Sequence, residues 1–199
     1  MPRAINRELR ERIVATAHGL FFERGYKSVS MEDIAREVGL KKANLFHYYP
    51  SKELLALAVL EKSSVQYRSR IVAEFSPRSE DPIEQLAAMY TGMAERILNA
   101  KGEIPSVVGN VIVEMSSSHE SLQQHIAEDL RFWINQLTGF MQHWKDESYF
   151  GPRLNPRSAA VSFVALMHGA TVQWKATLDI ESFTYSAQTV REFLRSMRT

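Results

Sequence analysis

The sequence predicts an all-α protein of about nine helices, with a three-helix helix-turn-helix head at the N-terminus and a helical body behind it. Three observations carry this. Apolar residues recur every three to four positions through most of the 199 residues, between Gly, Pro and Ser clusters, which is the period of amphipathic helices. The stretch Met31–Pro50, MEDIAREVGLKKANLFHYYP, has the spacing of two short helices joined at Gly39. Finally, Ala159–Val172 has no charge at all, in a chain that is 24% charged, so one long helix is apolar on every face. There are no repeats, no low-complexity tract and no convincing strand.

In Met31–Pro50, Ile34, Val38 and Leu45 fall where two helices crossing steeply would bury them. Ala35 is small and lets the second helix approach. Gly39 has no Cβ and can take the positive φ of the tight turn. The second helix then turns Lys42, Asn44 and His47 outward, side chains able to reach phosphates and base edges.

The remaining elements follow in order. Residues 1–6 form a short arm carrying Arg3. A first helix runs over about Arg7 to Arg24, with Leu9, Ile13, Ala17, Leu20 and Phe21 at helical spacing and Gly25 ending it. Arg3, Arg7 and Arg10 lie either near a phosphate strand or simply on the surface. Ser30 caps the second helix, with Asp33 three residues on approximating a capping box. The third helix covers about Lys42 to Tyr49, with Leu45, Tyr48 and Tyr49 on its inner face, and Pro50 stops it. Ser51 caps a long fourth helix, about Lys52 to Phe75. The cluster Ser76–Pro82 is the clearest linker. Asp81 and Pro82 start a fifth helix that runs to about Ala100, where Lys101-Gly102 ends it. A short sixth helix spans about Pro105 to Met115. The seventh, about Glu120 to Lys145, places Ile126, Leu130, Trp133, Leu137, Phe140 and Trp144 on one stripe. Asn155-Pro156 starts the eighth, and the ninth runs over about Tyr185 to Met197.

A helix apolar on all faces must be buried on all faces. The eighth helix, with small residues Ala165 and Gly169 along it, therefore fits an isologous four-helix dimer interface shared with the ninth. The alternative is a central core helix in a monomer.

Composition narrows the function. There is no cysteine, which excludes disulfides, thiolate zinc sites and cysteine nucleophiles and fits a cytoplasmic protein. The N-terminus is charged and does not read as a signal peptide. The uncharged run is too short and too polar to span a bilayer, so no membrane association is expected. Residues 1–70 hold 13 Lys and Arg against 8 Asp and Glu, and the remainder holds 11 against 15. A basic head on an acidic body suits a protein that meets a polyanion with one end, although chance surface charge would look the same. No HExxH, GxSxG, GxGxxG or Walker pattern occurs. His119 and His125, with Glu114 and Glu120 nearby, are not spaced as metal ligands on one helix face, so neither a metal nor a cofactor is expected.

The flanks of the helix-turn-helix extend the pattern: RELRERIVATAHGLFFERGYKSVSMEDIA before it, and LFHYYPSKELL running out of it. The amphipathic first helix, the Phe22–Gly25–Tyr26 turn, Ser30, and the aromatic cluster closed by Ser51-Lys52-Glu53-Leu54 resemble the TetR family of bacterial transcriptional regulators. The resemblance covers the first quarter to third of the chain. It implies a homodimer reading a pseudo-palindromic double-stranded DNA operator, with domains at 1–50 (DNA binding) and 51–199 (ligand binding and dimerisation), residues 51–75 forming the connector. It implies a repressor released by a small-molecule effector. By geometry and by resemblance, Lys42, Asn44 and His47 face bases, while Ser30, Tyr48 and Lys52 sit at helix ends near phosphates. Three positions depart from the family: Ala43 replaces a frequent Gly and limits backbone approach, Phe46 replaces a usual Tyr and cannot bond a phosphate, and Tyr49 replaces a usual Phe.

In the body, Met93, Trp133 and Phe140 are candidate walls of a ligand cavity, and Glu114, Gln136 and His168 are candidate orienting groups. Each also reads as ordinary core or surface. Two rival readings remain at this level: a regulator whose body binds a protein partner, and an all-α enzyme.

Overall fold

Local end chemistry sets most helix boundaries. The computed structural model describes residues 6–75, 81–99 and 110–199, and among them it has nine helices and no strand. These are α1 (Arg7–Arg24), α2 (Met31–Val38), α3 (Lys42–Tyr48), α4 (Lys52–Glu74), α5 (Pro82–Asn99), α6 (Asn110–Ser116), α7 (Glu120–Asp146), α8 (Pro156–Thr177) and α9 (Glu181–Ser196). Asn6 caps α1 by accepting the Leu9 amide at 3.1 Å. Ser51 Oγ accepts the Leu54 amide at 3.1 Å, and Asn155 the Ser158 amide at 2.9 Å, with Pro156 opening α8. The all-α class agrees with the sequence reading, and most boundaries agree to within a residue or two. The main difference is α9, which begins four residues before Tyr185. There Asp179 Oδ1 accepts the Glu181 amide at 2.9 Å, and the fully buried Phe183 anchors the first turn. The expectations for Arg3, for Ser76–Glu80, for the stop at Lys101-Gly102 and for a sixth helix beginning at Pro105 lie outside the described residues.

The capping box on α2 is complete. Ser30 Oγ accepts the Asp33 amide at 3.1 Å, and Asp33 Oδ2 accepts from the Ser30 amide at 3.0 Å and the Ser30 hydroxyl at 2.6 Å. These bonds, foremost the Ser30 hydroxyl with Arg36 adding to them, hold the Asp33 carboxyl down at about 2. The folded-state pKa lies below the ordinary carboxylate value, so this stabilisation is present above about pH 4 and is lost as pH falls through about 2. Asp33→Asn is therefore expected to lower the melting temperature at neutral pH, with the difference from the native chain narrowing towards pH 2. A difference constant across that range would refute the assignment.

Packing divides the described residues into two units, residues 6–65 with 110–127 and residues 66–75, 81–99 and 128–199. The sequence reading puts one boundary after residue 50, whereas these units interleave: α4 and α7 each contribute to both. At 23 and 27 residues they are about 35 and 40 Å long, more than one small core can cover. The first unit closes around Ile13, Ala17, Phe21, Ile34, Leu45, Leu55 and Leu122, all fully buried. In the second, α9 packs on both α5 and α8, around Leu86, Tyr90, Leu137, Phe163 and Phe183. Tyr90 donates its hydroxyl to the Phe163 carbonyl at 2.7 Å, satisfying the one polar atom this aromatic brings into the core.

Candidate functional site

In the first unit, α2 buries Met31, Ile34, Ala35 and Val38. Gly39 follows in the left-handed conformation, φ 76°, and its N–H closes α2 on the Ala35 and Arg36 carbonyls. α3 then has one buried residue, Leu45, at 0% exposure. That single anchor leaves Lys42, Ala43, Asn44, Phe46 and His47 exposed along the rest of the helix. Lys42 Nζ is 3.3 Å from Glu32 across the turn, a contact between exposed groups worth little in water. The His47 ring stands edge-on to half-buried Tyr48. Arg10 donates from Nε to the Tyr49 hydroxyl at 3.1 Å, giving a role to a tyrosine where phenylalanine is usual. Arg12 donates to the Val38 carbonyl at 3.3 Å and so helps close the end of α2.

Two of the helix-end candidates are engaged inside the protein. The Ser30 hydroxyl is committed to Asp33. Lys52 points its ammonium at backbone carbonyls, 2.8 Å from Tyr26 O, 2.9 Å from Val29 O and 3.5 Å from Lys27 O, and it lies 4.3 Å from the centroid of the Tyr26 ring. Burial lowers its pKa, opposed by the Glu114 carboxylate. Lys52, expected at a helix end near phosphates, here ties the α1–α2 loop to the start of α4.

Glu114, one of the six candidate ligand residues, sits on α6 in this same unit. Its carboxylate accepts the Lys27 amide at 2.9 Å and lies against Gly25, whose φ of 86° favours glycine. A Cβ at Gly25 would come within 2.8 Å of Glu114 Oε1. From the start of α7, His119 Nδ1 approaches Glu53 at 3.4 Å, and the Ser121 hydroxyl donates to the same carboxylate.

The second unit contains a cavity of about 20 Å³. Tyr67, Arg70, Ile71 and Glu74 line it from one face of α4, Met89, Met93 and Arg96 from one face of α5, Trp133 from α7 and Met167 from α8. Of the six expected ligand residues, Met93 and Trp133 are there. Gln136 is half-buried on α7, Phe140 packs on Phe75 with ring centroids 5.4 Å apart, and His168 stands edge-on to Trp133 at 5.6 Å; none of these three is among the lining residues. Burial lowers the His168 pKa. The sequence reading missed Tyr67, Arg70, Ile71, Glu74 and Arg96. The available signal was spacing: Arg96 continues the Met89–Met93 stripe by three residues, and the α4 group falls at intervals of three, one and three. Two donors at this cavity, Arg96 Nε and Trp133 Nε1, are buried without a hydrogen-bond partner among the described residues.

A short helix held by one buried leucine behind a glycine turn, with its polar face open, defines a helix-turn-helix nucleic-acid-binding protein. The family model for bacterial regulatory proteins of the tetR family matches residues 13–59, and that for the tetracyclin repressor-like C-terminal domain matches residues 82–190. The chain belongs to the TetR family and is a DNA-binding transcriptional regulator. It is 24% identical over 185 residues to a helix-turn-helix regulator of Lactococcus lactis encoded in the lacX 3′ region, covering 87% of each chain. It is 21% identical over 185 residues to the transcriptional repressor NemR of Escherichia coli, covering 91% of each. The crystal structure of a TetR-family regulator from Agrobacterium tumefaciens superposes with a TM-score of 0.81 at 23% identity, over 94% of this chain and 98% of that one.

Proposed function

We propose that the protein is a cytoplasmic repressor that binds a pseudo-palindromic operator as a homodimer and leaves it when a small molecule enters the cavity between α4, α5, α7 and α8. In this reading residues 1–50 read DNA, residues 51–199 dimerise and bind the effector, and residues 51–75 connect the two functions. The carrying observation is the open face of α3, where Lys42, Ala43, Asn44 and His47 are exposed around a single buried anchor. Dimerisation is supported by α8, whose Val161, Ala165 and Val172 are exposed in the single chain although the segment holds no charge. Effector entry is supported by the cavity walls. Three of the nine lining residues are methionines, flexible enough to widen a space that now has room for little more than a water. With no cysteine in the chain, the response does not run through thiol chemistry. Repression relieved by ligand requires the effector to favour the DNA-free state by roughly 1–3 kcal/mol.

Asn44→Ala tests the reading of α3. Asparagine can pair bidentately with adenine, so its loss is expected to cost roughly 1–3 kcal/mol per half-site on the preferred operator and far less on random duplex. The salt slope of binding stays nearly unchanged because no phosphate contact is lost. Titrations of both duplexes at several salt concentrations check this. Equal losses on the two would take α3 out of sequence reading.

A further inference from the structure

The cavity in the second unit has a chemistry of its own. Trp133 is 4% exposed, and its indole N–H, a donor with no acceptor capacity, has no partner among the described residues. Arg96 Nε, also donor only, is buried at the same cavity with no partner among the described residues. The lining charges are Arg70, Arg96 and Glu74, an excess of one positive. The Glu74 carboxylate approaches Arg96 Nη1 no closer than 3.9 Å, a loose contact. Burial, foremost, and the neighbouring Arg70 lower the Arg96 pKa, opposed by Glu74, Tyr67 and Glu95. The other walls are Tyr67, Ile71, Met89, Met93 and Met167, with the Tyr67 and Trp133 rings edge to face at 5.4 Å. Aromatic edges and thioether sulfurs favour a flat aromatic body.

We propose that the effector is a small aromatic carboxylate, its ring between Tyr67 and the methionines and its carboxylate accepting from Arg96 Nε and Trp133 Nε1. The assignment rests on the reading of this cavity as the effector site. An arginine and a planar carboxylate match in geometry as well as charge. An uncharged apolar guest leaves both donors unpaired. An amine adds a third cation beside Arg70 and Arg96. The ligand also takes hold of α4 through Tyr67, Arg70, Ile71 and Glu74, so widening the cavity acts on the helix that begins at Lys52.

Calorimetric titration of the full chain with 2-naphthoate, 2-naphthamide and 2-naphthylmethylamine tests this. The carboxylate is expected to bind at least about tenfold more tightly than the amide, and the amine more weakly than either. Arg96→Gln is expected to abolish the carboxylate's advantage and leave amide binding unchanged. Trp133→Phe keeps a ring but removes the donor, and is expected to weaken the carboxylate severalfold; it carries the test alone should Arg96→Gln fail to fold. If the amide or the amine binds as tightly as the carboxylate, the anionic class is overturned and the cavity remains the effector site. A carboxylate preference that survives both substitutions overturns the assignment of the donors. If none of the three binds at millimolar concentration, the proposal and the effector reading of the cavity fall together.

Discussion

Replacing Lys52 by methionine is expected to unfold the first unit early and to leave the salt dependence of DNA binding unchanged. The ammonium is within 3 Å of two carbonyls, Tyr26 O and Val29 O, that belong to the loop between α1 and α2. Hydrogen bonds to a charged group contribute roughly 1.5–3 kcal/mol each, and removing the donor leaves half-buried acceptors to find water. Methionine keeps most of the side-chain length and none of the donors, so the loss is of the order of 2–4 kcal/mol. That loss should appear as a lower melting temperature and as weaker binding to every duplex, in proportion to the fraction unfolded. Arginine at this position is expected to restore part of the stability. A phosphate contact gives the opposite pattern: native melting behaviour and a salt slope lower by about 0.9 per contact. Observing that second pattern would make Lys52 a phosphate contact instead.

Lys52 also shows where sequence reading stops. A lysine in the first turn of a helix beside a DNA-reading element reads as a phosphate ligand. Its carbonyl partners lie 23 to 26 residues upstream, and no spacing rule reaches them. Glu114 is the same case over a greater distance, since its amide partner is 87 residues away in the α1–α2 loop. By contrast, α2 and α3 were legible because everything that fixes them is local. Ser30 with Asp33 starts α2, Gly39 turns the chain, and Ile34, Val38 and Leu45 are the buried anchors at the expected spacing. The cavity was half legible. Met93 and Trp133 stand out as large apolar residues, whereas Arg96 reads as surface charge until α4 and α7 are placed against it. Phe140 was a reasonable candidate by type, but the α7 stripe that carries Trp133 turns it towards Phe75.

Gly169→Asp is expected to convert the proposed dimer into a monomer that still folds. In the single chain a Cβ at Gly169 would meet nothing within 4 Å, so the protomer itself does not oppose a side chain there. Removing a mid-helix glycine in fact favours the helix, by about 1 kcal/mol for alanine. Any large loss must therefore come from a second copy. The neighbouring positions point the same way: Val161 and Val172 are 45% and 40% exposed, and Phe193 on the adjoining α9 is 43% exposed. A carboxylate introduced into such a stripe is doubled by an isologous interface and left without a partner in each copy, which is costly. Losing the dimer also uncouples the two heads. Each half-site is then bound without the effective concentration supplied by its neighbour, and operator affinity falls by roughly 10²–10⁴-fold. Sedimentation at micromolar concentration, far-UV circular dichroism and operator titration of the same preparation separate the possibilities. The expected result is half the mass, unchanged helicity and lost affinity. Lost helicity would place Gly169 in the protomer core, and an unmodified chain that sediments as a monomer would remove the interface altogether.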